Sequence, residues 1–401
     1  MNRVAVRLSF AQAASGVIGG AATPFFGAWL AFRGMSLVEI GAITSAGMLL
    51  RVLVAPMTGM IADARNDRRA MMLALYSVML ASYAALNFVT AHSAIALAAI
   101  AAAVAGGATS PLMESVSIRL SERYNFDYGQ VRLWCSTLFV AGNFLSGLAV
   151  GRFGLIVIAP WLTVALVWNL AAVYLLPKPP PDHPRGDFGL RFRATLAEAH
   201  ELIRSPVFLV FLLAASLDQG SHAFYYAYGG LHWKRLGYSG GLIGAIWPLG
   251  VFAEIALMSV SLKVFRALGS TRLLLFGALG CVLRWTILAF DPPLPFVIFA
   301  QFLHGATFAL AHLGAMYFIL KAVPPRLAAT GQSLYAVCSS GLAMGLATLA
   351  SGPLYAAYGG RAYLLMSAMG AAAALFALLL GMLWNGAPIT QHVSDEVFDT
   401  I

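Results

Sequence analysis

Pro177-Lys178-Pro179-Pro180-Pro181-Asp182-His183-Pro184-Arg185-Gly186-Asp187 is a long polar interruption in an otherwise apolar chain. Its prolines make an extended, semi-rigid spacer. The stretch that follows is partly amphipathic over Ala194–Ile203 and reads as a short cytoplasmic helix. Apolar runs flank the interruption on both sides. About 20 such residues are what a helix needs to cross a bilayer. The runs fall at 8–32, 38–62, 70–91, 93–118, 131–153 and 156–176 before it, and at 206–231, 239–262, 272–290, 294–320, 329–352 and 362–384 after it. The reading is an all-α membrane protein of 12 spans, divided as a six-helix bundle (1–176), a linker (177–205), a second six-helix bundle (206–385) and a cytoplasmic tail (386–401).

Composition agrees. The 401 residues are 60% hydrophobic and 10% charged, with a mean hydropathy of +0.80, whereas soluble domains are about 25% charged. The start has no signal-peptide pattern, so no cleaved leader is expected. The net charge of +9 suggests nucleic acid until its placement is read. With both termini in the cytoplasm, five of the 25 basic residues (Arg33, Arg152, Lys234, Arg235 and Arg361) fall on outer loops. Three (Arg51, Arg132, Arg284) fall inside spans, and the other 17 lie on inner loops. That is the positive-inside rule. The expected localisation is therefore the inner membrane, with the bilayer and a small solute as partners, no nucleic acid, and a functional monomer.

The halves echo each other. Gly107-Ala108-Thr109 in span 4 corresponds to Gly305-Ala306-Thr307 in span 10, 198 residues on. Gly129-Gln130 with Cys135-Ser136 corresponds to Gly331-Gln332 with Cys338-Ser339, about 202 residues on. Shared order and near-constant offset point to a duplicated six-helix unit, an architecture of transporters.

Six charges lie within spans: Arg51, Glu114, Arg132, Asp218, Glu254 and Arg284. At about 2.5–3.5 kcal/mol each at mid-membrane, they would cost roughly 15–20 kcal/mol unpaired, more than the about 5–15 kcal/mol stability of a typical protein. They must pair or face water. Three of each sign can neutralise around one aqueous cavity. Local alternatives stand beside this reading. Arg132 can snorkel and pair with Asp127, Glu114 can be a helix-end acid near Arg119 and Arg123, and Glu254 with Arg284 can be a structural ion pair. Arg51 lies too deep in its span to snorkel. Asp218, with Ser216, Gln219, Ser221 and His222, reads as a strip lining a cavity. His304 and His312 are eight residues apart, within about 80° on a helix, and histidine can relay protons near neutral pH. Phe25, Phe26, Trp29, Trp134, Phe224, Tyr225, Tyr226, Tyr228 and Trp247 can supply aromatic walls, although membrane aromatics also form interface belts.

The loop Gly59-Met60-Ile61-Ala62-Asp63-Ala64-Arg65-Asn66-Asp67-Arg68-Arg69 resembles the signature between spans 2 and 3 of the major facilitator superfamily, with Ala64 at a usually basic position. Pro111-Leu112-Met113-Glu114 and Tyr128-Gly129-Gln130-Val131-Arg132-Leu133-Trp134 resemble its lactose-permease and phenylpropionate-permease branch, down to the 18 residues from Glu114 to Arg132. Glu254, Arg284 and His304, the last two 20 residues apart, resemble that branch's polar trio. The chain departs from it at Thr307, where the lactose permease has the carboxylate central to proton transfer, and at Gln301, where it has a lysine.

The resemblance implies the major facilitator fold, two six-helix pseudo-repeats, and secondary transport by alternating access. Together with the charges and rings read above, it points to substrate binding by Arg51, Glu114, Arg132, Trp134, Asp218 and Trp247. Proton coupling would fall to Glu254, Arg284, His304 and His312, with protonation of Glu254 or the His304 cluster weakening the hold on Arg284. Gly59, Asp63, Arg65, Arg68 and Arg69 would form a conformational gate. Arginines for a carboxylate and rings for an aromatic group favour proton symport of an aromatic acid such as phenylpropionate. The alternatives are a proton-driven exporter and a non-transporting receptor or assembly factor. An enzyme is not expected: no metal set, phosphate loop or nucleophile elbow appears, and Cys135, Cys281 and Cys338 read as small apolar residues. No cofactor beyond the coupling proton is expected.

Overall fold

The computed structural model describes residues 2–65, 67–178 and 188–389; Arg185, most of the proline-rich interruption and the end of the tail lie outside the described residues. The described chain is helical throughout. The first half comprises α1 (Arg3–Phe32), α2 (Leu37–Arg65), α3 (Arg68–Leu86), α4 (His92–Tyr124), α5 (Tyr128–Phe153) and α6 (Ile158–Tyr174). α7 (Phe188–Ile203) is the short helix expected after the interruption.

The second half is more broken. Span 7 is α8 (Pro206–Gly220) and α9 (Ala223–Arg235), and span 8 is α10 (Gly240–Ile246) and α11 (Leu249–Ser259). Span 9 is the last part of α12 (Ser261–Leu288). Span 10 runs through α13 (Leu294–Phe302), a π-helical segment Gly305–Leu310 and α14 (Ala311–Ala322). Span 11 is α15 (Ala328–Ala336), a second π segment Val337–Ala343 and α16 (Met344–Tyr358), and span 12 is α17 (Tyr363–Leu383).

Among the described residues, eleven helical stretches are long and apolar enough to cross a membrane, one of them 59 residues long (Pro325–Leu383). At 1.5 Å per residue that stretch exceeds one bilayer more than twofold, and it breaks at Gly359, where φ is 59°. It makes two crossings, which gives twelve. Large apolar side chains stand exposed along the helices, Leu97 at 72%, Leu320 at 73% and Leu375 at 69% among them. A water-soluble protein would bury such residues; lipid is the solvent that accepts them.

Helix starts follow local chemistry. Asp67, Asp127, Ser205 and Ser239 each accept from a backbone N–H three residues on, at Ala70, Gln130, Phe208 and Leu242, which satisfies amide groups that a helix cannot pair itself. One boundary differs from the sequence reading. The expected loop between spans 8 and 9 is helical from Ser261, and the chain turns at Gly269, where a φ of 73° suits glycine.

The chain falls into two units. The first holds residues 1–188 with 224–248 and 348–359, and the second holds 189–223, 249–347 and 360–401. These units cut across the sequence halves. Residues 224–248 and 348–359 join the first unit because its glycines let backbones touch. A Cβ at Gly147 would lie 2.6 Å from the Gly240 carbonyl oxygen and 3.0 Å from Gly244 Cα. Tyr228 Oη donates to the Leu37 carbonyl at 2.7 Å, and Thr348 Oγ1 donates to Met48 Sδ at 3.7 Å. The second unit is built on an apolar core around Phe208, Phe211, Phe318 and Leu380. α7 belongs to it, through a Glu201–Arg326 ion pair at 2.5 Å and a hydrogen bond from Thr330 to Glu198.

Candidate functional site

The first unit encloses a cavity of about 690 Å³ lined by residues of α1 to α6 together with Tyr226 and Ala227. Three of the six intramembrane charges line it: Arg51, Glu114 and Arg132. Arg51 enters from α2, with its aliphatic stem laid on α4. A Cβ at Gly107 would meet Arg51 Cδ at 2.7 Å, so the glycine makes room for the arginine. Arg132 Nε donates to Glu114 Oε1 at 2.7 Å, and Tyr128 Oη donates to Glu114 Oε2. Arg132 and Glu114 keep 41% and 36% of their side chains exposed, so the pair is wet. Asp127, the other partner considered for Arg132, is occupied as an N-cap. The rings of Phe26, Tyr76, Tyr83, Phe139 and Tyr226 complete the wall. Summed over the lining, two guanidinium groups and one carboxylate leave a net charge of +1.

Two expected aromatic residues are placed elsewhere. Trp134 is 48% exposed and outside the lining. It follows Arg132 by two residues, about 200° around a helix, so the two face opposite ways. Trp247 is buried, stacked on Tyr225 at 4.3 Å and edge-on to Trp233. It packs an aromatic cluster of the first unit rather than the cavity wall. In the sequence Tyr128 stands only as part of a motif. Its four-residue spacing to Arg132, one turn of helix, is the signal that it joins the same site.

The loop between α2 and α3 forms an ion-pair cluster. Arg68 bridges Asp63 at 2.6 Å and donates to Ser115 Oγ on α4. Arg69 donates to the Tyr174 carbonyl and lies 5.4 Å over the Tyr174 ring. Lys178 Nζ bridges Asp67 at 2.9 Å. Burial pushes the Asp67 carboxyl up, but the Lys178 hydrogen bond, the Ala70 amide and the Lys178 and Arg69 charges outweigh it and hold it below its ordinary range. Arg65 is exposed, and an added Cβ at Gly59 would meet nothing within 4 Å.

The second unit holds the other three charges. Arg284 is fully buried. It donates from Nη1 to His304 Nδ1 at 2.8 Å and to Thr307 Oγ1 at 3.2 Å, and from Nη2 to Gln301 Oε1 at 3.3 Å. Its guanidinium carbon sits 4.5 Å from the Trp285 ring centre. Thr307 and Gln301, the two departures from the lactose-permease pattern, are thus the residues Arg284 uses as acceptors. Thr307 lies in the π segment, a geometry common at functional sites. A Cβ at Gly250 would meet His304 at 3.0 Å, so α11 and span 10 approach closely there. His312 stacks on Phe308 at 6.1 Å, and Glu254 is half-buried on α11.

Asp218 differs from expectation. The strip Ser216, Asp218, Gln219, Ser221 and His222 is buried, with Asp218 only 1% exposed. Its Oδ1 accepts from Cys281 Sγ at 3.5 Å, and its Oδ2 has no hydrogen-bond partner. Alternating polar and small residues cannot tell a water-lined face from one sealed by neighbouring helices.

Multiple membrane crossings, lipid-facing apolar surfaces and a charged internal cavity define the class: an integral membrane transport protein. Residues 14–366 match the model of the MFS_1 like family, and the chain belongs to that family of the major facilitator superfamily. Over 338 residues it is 30% identical to the probable 3-phenylpropionic acid transporter of Escherichia coli (strain K12), covering 83% of this chain and 86% of the relative. It is 27% identical to the maltose permease of Geobacillus stearothermophilus over 354 residues, 86% of each. Among solved structures, a mutant form of the nucleoside transporter NupG matches with a TM-score of 0.83 at 15% identity, covering 95% of this chain and 99% of that one. The D-xylose-proton symporter matches at 0.69 and 15%, covering 97% and 98%. These two similarities establish the fold, the major facilitator fold.

Proposed function

We propose that this transporter imports a small aromatic carboxylate together with protons, by alternating access, across the inner membrane, with both termini in the cytoplasm. It needs no metal or organic cofactor, carries out no chemistry on its cargo and works as a monomer. The observation that carries the reading is the net charge of +1 in the first unit's cavity, set among five aromatic rings. A monoanion with a ring satisfies both. Its carboxylate neutralises the excess guanidinium charge in fork geometry, and its ring replaces water against the aromatic walls. At about 690 Å³ the cavity lies in the range of small-molecule sites. A neutral sugar offers no charge to match that net +1. The 30% identical relative, a probable 3-phenylpropionic acid transporter, supports the same substrate class.

A monoanion entering with one proton moves no net charge, so the pH gradient drives it; each proton beyond the first adds about 2.3 kcal/mol per 100 mV. In proteoliposomes, labelled 3-phenylpropionate is expected to accumulate under an inward proton gradient and to drain when an uncoupler is added. Accumulation that ignores the uncoupler contradicts proton coupling. Outward movement under the same gradient contradicts import.

A further inference from the structure

Within the second unit, the geometry points to His222, hydrogen-bonded to Thr307, as the group that takes up the coupling proton and passes its effect to Arg284. This rests on the proton-coupled reading above and names a titrating residue for a site where Thr307 stands in place of an acid.

The hydrogen positions follow from the partners. His222 is fully buried at the end of α8. Its Nδ1 lies 3.3 Å from both the Asp218 and the Gln219 carbonyl oxygens. Carbonyls only accept, so Nδ1 carries the hydrogen. Its Nε2, 3.1 Å from Thr307 Oγ1, is then the bare nitrogen and accepts from the hydroxyl. Arginine only donates, so His304 Nδ1, at 2.8 Å from Arg284 Nη1, is bare as well.

The two histidines respond differently to a proton. At His304 Nδ1 it would set N–H against N–H and break the bond to Arg284 outright. At His222 Nε2 it requires only that the Thr307 hydroxyl turn. Thr307 Oγ1 has two lone pairs, and it then accepts from both His222 Nε2 and Arg284 Nη1. No bond between heavy atoms forms or breaks. His222 gains one proton and one positive charge. That charge sits one hydroxyl away from the guanidinium, out of water, where like charges repel strongly. Arg284 is pushed away from Thr307 and from His304. The proton is received at one residue and released as movement of another.

Two elements besides its own face His222, and α17 lies behind them. On its own helix are the Asp218 and Gln219 carbonyls, with the Asp218 carboxyl a turn away. α12 presents Cys281, held at the Asp218 carboxyl, Arg284, and Trp285, edge-on to His222 at 5.1 Å. Span 10 presents His304 at 5.6 Å, Thr307 and Phe308. α17 contributes Tyr363, stacked on Trp285 at 5.6 Å. Trp285 touches both His222 and Arg284 and is a built-in reporter.

The test is tryptophan fluorescence of the purified full-length protein in nanodiscs, titrated from about pH 4 to 9 to cover the histidine range. A single step is expected, lost in W285F, which removes the reporter, and lost in H222Q. It is expected to persist in H312Q. T307V, nearly isosteric, is expected to displace its midpoint, which guards against reading a misfolded H222Q as support. A step unchanged in both H222Q and T307V overturns the assignment, as does the absence of any step in the parent. Transport of 3-phenylpropionate supplies the second arm: H222Q is expected to keep counterflow exchange and lose uphill accumulation. H222Q that accumulates as well as the parent, and drains with uncoupler, also overturns it. If the parent itself never accumulates in response to a proton gradient, the broader reading fails instead, and the fluorescence step still reports on His222.

Discussion

At the scale of single residues, the proposed discrimination between substrates rests on the cavity charge. Arg51→Gln takes the lining from +1 to neutral. A hydrogen bond to a charged group is worth about 1.5–3 kcal/mol, or roughly 10- to 150-fold in affinity. Phenylpropionate binding measured by calorimetry is expected to weaken by about that factor, while the melting temperature holds. Arg51→Lys is expected to recover only part of the loss, because a point charge cannot match a fork. Asp67 offers a pH test. Its carboxyl lies below the ordinary 3.8 in the folded protein, so it stabilises the fold fully above that value and stops doing so as pH falls through the folded value. Asp67→Asn keeps a competent N-cap and removes the charge. It is expected to melt slightly lower than the parent at pH 7, with the gap closing as pH falls through the lowered carboxyl value.

At the scale of elements, how much is legible in the sequence depends on what each signal needs. The twelve spans can be read because each is a long, predominantly apolar run, and so can Glu114 with Arg132, whose motif carries its own spacing. The π segments Gly305–Leu310 and Val337–Ala343 cannot be, because they arise from packing between helices and leave no periodic trace. Trp134 departs from expectation for a related reason. α5 is apolar nearly all round, so hydrophobicity does not say which face is inward. Asp218 and His222 are recognisable as a polar strip, but its burial depends on α12 and span 10 closing over it. Gly250 illustrates the dependence. Gly250→Leu is expected to push His304 off Arg284 and to abolish the pH step of Trp285 fluorescence, without changing phenylpropionate affinity in the first unit. A lost affinity with an intact step would reverse the assignment of the two sites.

At the scale of the whole molecule, the proposed alternating access requires the first unit to be temporary. The segments 224–248 and 348–359, which come from the second half of the sequence, pack onto the helices of the first half and must leave them during a cycle. Thr348 and Met48, in contact at 3.7 Å, mark the seam. Cysteines at both positions are expected to cross-link under oxidation and stop transport, with a reductant restoring it. The most direct test of the central claim is counterflow in proteoliposomes loaded with unlabelled 3-phenylpropionate. The parent is expected to take up the labelled acid and ignore maltose and nucleosides, and Arg51→Gln to lose most of that exchange. Equal exchange by the parent and by Arg51→Gln, or exchange of a neutral sugar in preference to the acid, would contradict a cationic, ring-lined cavity as the seat of recognition.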